Sequence, residues 1–444
     1  MRDAPFTWDD PLPPMTEDGY PTIIPEGAFM DSFLIFTSKR GHLPVNLYVN
    51  YEGQGRIAYV GGAEILERRP GCDVVRNLRR DDAFTARIVK TDSDNPIRNI
   101  RVFEQEAPPT STFRPDFLAR LQNMSVLRFM DWMGTNNSTV TKWADRPLEN
   151  RFGQSILGVP IETMIELCNT AGISPWFNIP HLADDDYVRA FAEHVRHDLD
   201  PTLHIHVEYS NEVWNTIFGQ ADYAGKQGLE LGLSDDGYEA QLRFYARRST
   251  QIIQIWEDVF SHNPSRIVGV YAAQSANPWT SEIILGTQDV ARHADILAIA
   301  PYFGGSLGSP EQAPQVQDWS LDRLFNVLAQ EVERESREQI SAHAALARRY
   351  GLRLFAYEGG QHLVGHAGAE NNDKLTELFI AANRDERMGK LYERHLQVWS
   401  EAGGDLYALF ASMGEPSKWG SWGLLEFEGD KRPKWDAVQR TLHV

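Results

Sequence analysis

Only two cysteines occur among the 444 residues. Cys72 and Cys168 stand far apart and neither belongs to a CxxC pair. That argues against a disulfide framework and against a cysteine-based zinc centre. Two free thiols are the simplest reading, given how often cysteine is buried. Long apolar runs are missing too: nothing approaches the roughly 18 residues of a membrane span. Positive charge is short, 43 Lys and Arg against 62 Asp and Glu, a formal net charge of −19. Such a chain is a poor generic partner for nucleic acid or an anionic membrane. The first ten residues, MRDAPFTWDD, lack the apolar stretch of a secretory signal. The compartment stays open on this reading: secreted or periplasmic where a leader has been removed, otherwise cytoplasmic. Internal repeats and low-complexity tracts are also missing. The Glu- and Arg-rich stretch 331–349 reads as the solvated side of a helix.

What is present is the balance of a globular protein, with 42% hydrophobic and 24% charged residues. The length suits two ordinary domains, or one large barrel with an added module. The first hundred residues have short β-branched or aromatic runs at 47–50, 56–60, 84–90 and 99–103. Turns rich in Gly, Asp and Asn separate them, and helical periodicity is absent. This predicts a small antiparallel β-rich module over residues 1–108. The stretch Ala107-Pro108-Pro109-Thr110-Ser111-Thr112 is the expected boundary, because paired prolines extend neither strand nor helix.

Beyond it, over 109–444, apolar runs alternate with amphipathic helices. Ile161, Met164, Ile165 and Cys168 repeat at helical spacing, and Gly172 suits the helix end. Asp184 to Asp186 supply carboxylates to the start of the next helix. Strands are expected at 126–130, 173–179, 203–209, 266–272, 295–300, 352–357 and 405–410. Regular β-then-α alternation predicts a parallel sheet. Seven such units are too many for a comfortable open sheet, so the expected fold is α/β, a (β/α)8 TIM barrel with the N-terminal β-rich module. One barrel strand is left unassigned by this count.

In a parallel barrel the chemistry sits where strands end. Those ends carry Arg128 and Trp132, His181, Asn211 and Glu212, Tyr302, Glu358, and later Trp419 and Trp422. Glycoside hydrolysis needs two carboxyl groups flanking the scissile bond, one protonated and one ionised. Glu212 and Glu358 each follow an apolar strand, three β-α units apart.

Weaker constellations fall away. His204 and His206 share a strand face but lack zinc spacing. Asp184-Asp185-Asp186 lacks the glycine and closing glutamate of a calcium loop. Gly304-Gly305-Ser306 is not followed by the lysine of a phosphate cradle. No metal ligand set is therefore assigned.

The Asn211-Glu212 dipeptide at one strand end and Glu358 at another resemble the clan A retaining glycoside hydrolases, the four-seven superfamily. There an Asn-Glu pair ends strand four and a glutamate ends strand seven. The phrase Glu208-Tyr209-Ser210-Asn211-Glu212-Val213-Trp214-Asn215 also resembles bacterial proteins labelled as cellulose-binding. The resemblance covers roughly residues 120–425. It implies Glu212 as acid/base, Glu358 as nucleophile and Asn211 as a ligand of the sugar 2-hydroxyl. It places Arg128 and Tyr302 beside the nucleophile, makes 126–130 the second strand and leaves the first unassigned. It implies a β-linked glycan as substrate and no cofactor. The family's platform tryptophan on the last strand is replaced by Phe410 and Ala411, with Trp419 and Trp422 following in the loop.

Each residue has a plainer role open to it. Arg128 suits a buried ion pair, Tyr302 a core position with a wet hydroxyl, and His181 either the site or a loop cap. Trp132, Trp279, Trp419 and Trp422 suit edge packing, and Trp176 the core. Glu208 reads as an inward carboxylate with a structural partner. The other function class left open is a non-catalytic carbohydrate-binding protein on the same scaffold.

Overall fold

The computed structural model describes residues 13–34, 45–78, 84–106, 110–151, 157–427 and 429–442. The first ten residues and the Ala107-Pro108-Pro109 part of the expected boundary lie outside them. The chain forms two compact units. One comprises Met1–Arg120, Pro147–Ile161 and Phe427–Gly429; the other comprises Leu121–Arg146, Glu162–Glu426 and Asp430–Val444.

Among its described residues the first unit holds seven strands: β1 (Met30–Leu34), β2 (Val45–Glu52), β3 (Gly55–Val60), β4 (Ala63–Arg69), β5 (Cys72–Asn77), β6 (Phe84–Thr91) and β7 (Arg98–Phe103). They form two antiparallel sheets, ordered β1-β6-β3 and β4-β5-β2-β7. Leu47, Val49 and Val75 of one sheet pack with Phe84 and Tyr59 of the other. A second cluster gathers Ile57, Ala86, Ile88 and Ile97. Alternation marked out β2, β3, β6 and β7 in the sequence. β4 escaped because it is an edge strand, exposed along most of its length, so nothing imposes an apolar period on it.

The second unit is built on a six-stranded parallel sheet. Its strands are β8 (Val126–Arg128), β9 (Ser174–Ile179), β10 (Ile205–Tyr209), β11 (Ile267–Ala272), β12 (Ile296–Ile299) and β13 (Arg353–Ala356), neighbours in that order. Residues 405–410, expected as a strand, make a single parallel bridge from Tyr407 to Ala356, flanked by Asp405 N–H to Leu354 and Ala408 N–H to Ala356. The expected parallel sheet is present, seen among the described residues as a curled half-barrel and not as a closed ring of eight strands. The described residues give six strands and one bridged segment, and no eighth strand joins this sheet.

The sheet is strongly curled. Five strand spacings separate β8 from β13, roughly 24 Å across a flat sheet. Yet Arg128, which ends β8, touches Glu358, just beyond β13, at 3.1 Å. Lower down, Trp176 of β9 lies 6.3 Å from Phe355 of β13 and stacks on His206 of β10 at 5.5 Å. These rings fill the concave side. The outer side of the same strands is apolar: Phe177 meets Phe191 of helix Asp185–Asp198, and Phe191 meets Trp256 of helix Gly237–Val259. Asp184 caps the first of these helices, accepting from Tyr187 N–H at 2.8 Å. Gly172, at φ 67°, closes helix Ile161–Ala171.

Candidate active site

Side chains alternate across a strand, so residues an even number apart share a face. On β10, His206 and Glu208 point to the concave side. Glu208 has no exposed surface, yet both oxygens are satisfied. Arg128 reaches it with Nε and Nη2, each at 3.0 Å, and Trp176 Nε1 and Asn178 Nδ2 each donate at 2.8 Å. Burial pushes the Glu208 carboxyl up, and Arg128 with the two neutral donors pulls it down. Burial also works against the Arg128 guanidinium, but Glu208 and Glu358 outweigh it and the group stays charged.

Arg128 is thereby held in a fixed plane. Its Nη1 donates to Glu358 Oε2 at 3.1 Å, and its Nη2 also donates to Asn211 Oδ1 at 2.8 Å. The Tyr302 hydroxyl donates to the other Glu358 oxygen at 3.0 Å. Burial, then the Glu358 charge, raises Tyr302 well above its ordinary value, so it stays a donor. Gly359 and Gly360 follow Glu358 because nothing larger fits. A Cβ on the first would lie 2.3 Å from the Tyr407 hydroxyl, and on the second 2.6 Å from that of Tyr392.

Glu212 approaches from the loop after β10. Ser210 and Glu212 both have positive φ, 58° and 41°, a conformation that costs energy outside glycine. The Tyr357 hydroxyl donates to Glu212 Oε1 at 2.8 Å, and Asn215 Nδ2 to Oε2 at 2.9 Å. Tyr357 is the residue before Glu358, so one tyrosine ties the second carboxyl to the strand that carries the first. Burial raises the Glu212 carboxyl, opposed by Asn215, Tyr357 and Arg128. Glu358 is pushed up to about 8, by burial first and the Glu212 charge second. Burial and mutual repulsion raise both carboxyls, and the two titrate as a coupled pair.

Asn211 is oriented on three sides. Its Oδ1 faces Arg128, its Nδ2 donates to Asn136 Oδ1 at 3.0 Å, and its carbonyl accepts from Gln220 Nε2. One Nδ2 hydrogen is left for a ligand.

Trp422 joins this group through aromatic contacts. Its ring lies 5.8 Å from Tyr302, 5.0 Å from His362 and 5.8 Å from Phe410. The other sequence candidates make other contacts. His181 packs edge-on to Tyr223, with its Nδ1 buried and unpartnered. Trp132 packs on Phe129. Trp419 is 63% exposed, with the Lys418 ammonium 4.7 Å from its ring centroid. Trp279 stacks on Tyr238. His206 is buried and pushed down to about 4, a neutral ring in the stack, while His204 is exposed. Among the described residues, no three or more His, Cys, Asp or Glu side chains are grouped to hold a metal ion. No described helix is long and apolar enough to cross a membrane.

Sequence reasoning missed Tyr357, Asn136, Asn215, Gln220 and His362. Tyr357 was hidden because it ends an apolar run. Asn215 had a signal: three residues after Glu212 in a tight turn, within reach of its carboxyl.

Among solved structures, the chain is similar to the GH51 arabinofuranosidase from Xanthomonas axonopodis pv. citri, at 13% identity over 70% of this chain and 62% of that one, with a TM-score of 0.44. It is also similar to a 4-O-α-L-rhamnosyl-β-D-glucuronidase from Fusarium oxysporum 12S, at 13% identity over 73% and 63%, TM-score 0.45. A GH5 xyloglucanase from Bacteroides ovatus aligns over 94% and 96% at 8% identity, TM-score 0.38. The aligned part spans less than two thirds of the first two enzymes. No family model matches the chain, and no curated protein does.

Proposed function

We propose that this chain is a retaining β-glycoside hydrolase acting on a polysaccharide or oligosaccharide, with its chemistry in residues 109–444. One observation carries the proposal. Two glutamates from different strand ends share a buried site, and only Glu358 is in direct contact with a cation. A guanidinium favours the ionised form of the carboxyl it touches. When the site works, the shared proton rests on Glu212 and the charge on Glu358.

Glu358 then attacks the anomeric carbon as the bond to the leaving oxygen breaks, and Glu212 gives that oxygen its proton. In the second step Glu212 takes a proton from water, which displaces Glu358 from the sugar. Two inversions give net retention. This requires carboxyl groups about 5–5.5 Å apart, against roughly 6.5–9.5 Å for inversion. Asn211 offers its free N–H to the sugar 2-hydroxyl, a contact that tightens as the oxocarbenium ion develops. Trp422 offers an aromatic face to the sugar ring. No step calls for a metal or an organic cofactor.

The test is reducing-end release across β-linked polysaccharides and aryl glycosides, with wild type, Glu358→Gln and Glu212→Gln run together. Loss in both variants supports the paired mechanism. Activity surviving in Glu358→Gln removes it as nucleophile. A silent wild type that still binds glycan points to the carbohydrate-binding alternative.

A further inference from the structure

Lys434 is 3% exposed, at the start of helix Pro433–Thr441. Its ammonium has no carboxylate of its own. Glu426, the acid nearest in charge effect, is already held by Arg384 at 2.7 and 2.9 Å and by Arg432 at 2.9 Å. Lys434 Nζ donates instead to two neutral oxygens, Asn383 Oδ1 at 2.9 Å and the Ser421 carbonyl at 2.8 Å. Two acceptors satisfy a neutral amine and leave the third hydrogen of an ammonium unmatched. Burial accordingly brings the group down to about 7. Burying an amine this way is costly, and a methionine would fill the space without that cost.

The partners suggest what the amine is for. The Ser421 carbonyl also accepts from Gln361 Nε2 at 2.9 Å. Gln361 lies three residues after Glu358, its N–H donates to the Tyr392 hydroxyl, and its Oε1 accepts from Leu363 N–H and, at 3.4 Å, from Asn383 Nδ2. Ser421 immediately precedes Trp422. The loop carrying the tryptophan is thus fastened to the loop carrying Glu358 through one carbonyl with two donors.

We propose that Lys434 is a positioning residue. From outside the site it latches the Ser421 carbonyl, and so fixes the Trp422 ring beside Tyr302 and His362 for sugar stacking. This rests on the hydrolase reading only in what Trp422 stacks against; the latch itself does not need it.

Two readouts separate these claims. The first is kinetic, using the full chain and the best glycan from the panel. Lys434→Met should keep its kcat, while KM rises about fivefold or more, the worth of one hydrogen bond. In a Trp422→Ala background the same change should add less than about twofold, because the two act as one unit. Full multiplication of the two effects overturns the latch. The second readout needs no activity. The Trp422 indole N–H, donated to the Trp419 carbonyl at 2.8 Å, should exchange with solvent faster in Lys434→Met. Unchanged exchange overturns the latch. An inactive wild type sinks the hydrolase reading and leaves exchange to decide. Lys434→Leu, which likewise removes the donor to the Ser421 carbonyl, carries the same two tests if Lys434→Met does not fold.

Discussion

Asp73 and Glu208 are both wholly buried carboxylates, one in each unit, and they are held in different ways. Asp73, on β5, uses one oxygen for both Arg68 at 2.8 Å and the Tyr59 hydroxyl at 2.9 Å, and its other oxygen has no partner. Its cation is 39% exposed. Glu208 has four donor contacts over two oxygens, and its cation is 6% exposed. A buried charge that is only half satisfied is a cost the β-sandwich tolerates. One that is fully satisfied fixes its partner's geometry. Here the partner is Arg128, and what it is aimed at is Glu358. The difference between the units is thus whether buried charge is incidental or is used to place a second charge.

The largest expected effect is at the end of that chain. Glu358→Gln should lower kcat by at least about 10³-fold with the fold intact, as removal of a nucleophile does. Next comes its support. Glu208→Gln should cost on the order of 3–5 kcal/mol in urea unfolding, because it leaves the Arg128 charge buried with one partner fewer. It should lower kcat as well. Asp73→Asn should cost only about 1–2 kcal/mol and leave kcat unchanged. If the two amide variants destabilise equally, the contrast between the units fails.

The contrast also appears against pH. Burial and mutual repulsion raise the Glu212–Glu358 pair, so the stability contributed by its bound proton is fully present below the ordinary carboxylate range and is lost as pH rises through about 8. Glu358→Gln should therefore melt higher than wild type at pH 9, with the gap narrowing toward pH 5. The same shared proton sets the alkaline limb of the kcat/KM profile near pH 8. Tyr302→Phe removes a donor that lowers Glu358, and should move that limb upward. The smallest effect is on the surface of the first unit. Arg76 and Glu64 are 37% and 51% exposed at 3.7 Å, and Arg76→Ala should shift the melting point by less than about 2 °C.

These predictions rest on a site that was partly legible in the sequence. Strand ends are visible as apolar runs that stop, so Glu212, Glu358, Arg128 and Tyr302 could be picked out, and the structure brings those four together. Alternation told which face Glu208 occupied. What was not legible is what depends on the sheet's curl. The family resemblance set Arg128 beside Glu358, but nothing in the local pattern reveals that the two, 230 positions apart, meet across its concave side. His181 and Trp132 end strands as well, yet they pack on Tyr223 and Phe129, because a strand end fixes an edge and not a direction around it. The segment 405–410 misled by composition: it is apolar enough for a strand, but pairs on one side through a single bridge.

The most direct test of the central claim is to trap the covalent intermediate. Wild type would be incubated with an activated 2-deoxy-2-fluoro glycoside of the sugar found in the panel, digested, and read by mass spectrometry. The account predicts one sugar per chain, on the peptide carrying Glu358, and no adduct in Glu358→Gln. A sugar on any other residue, or turnover that yields the inverted anomer with no adduct, would contradict it.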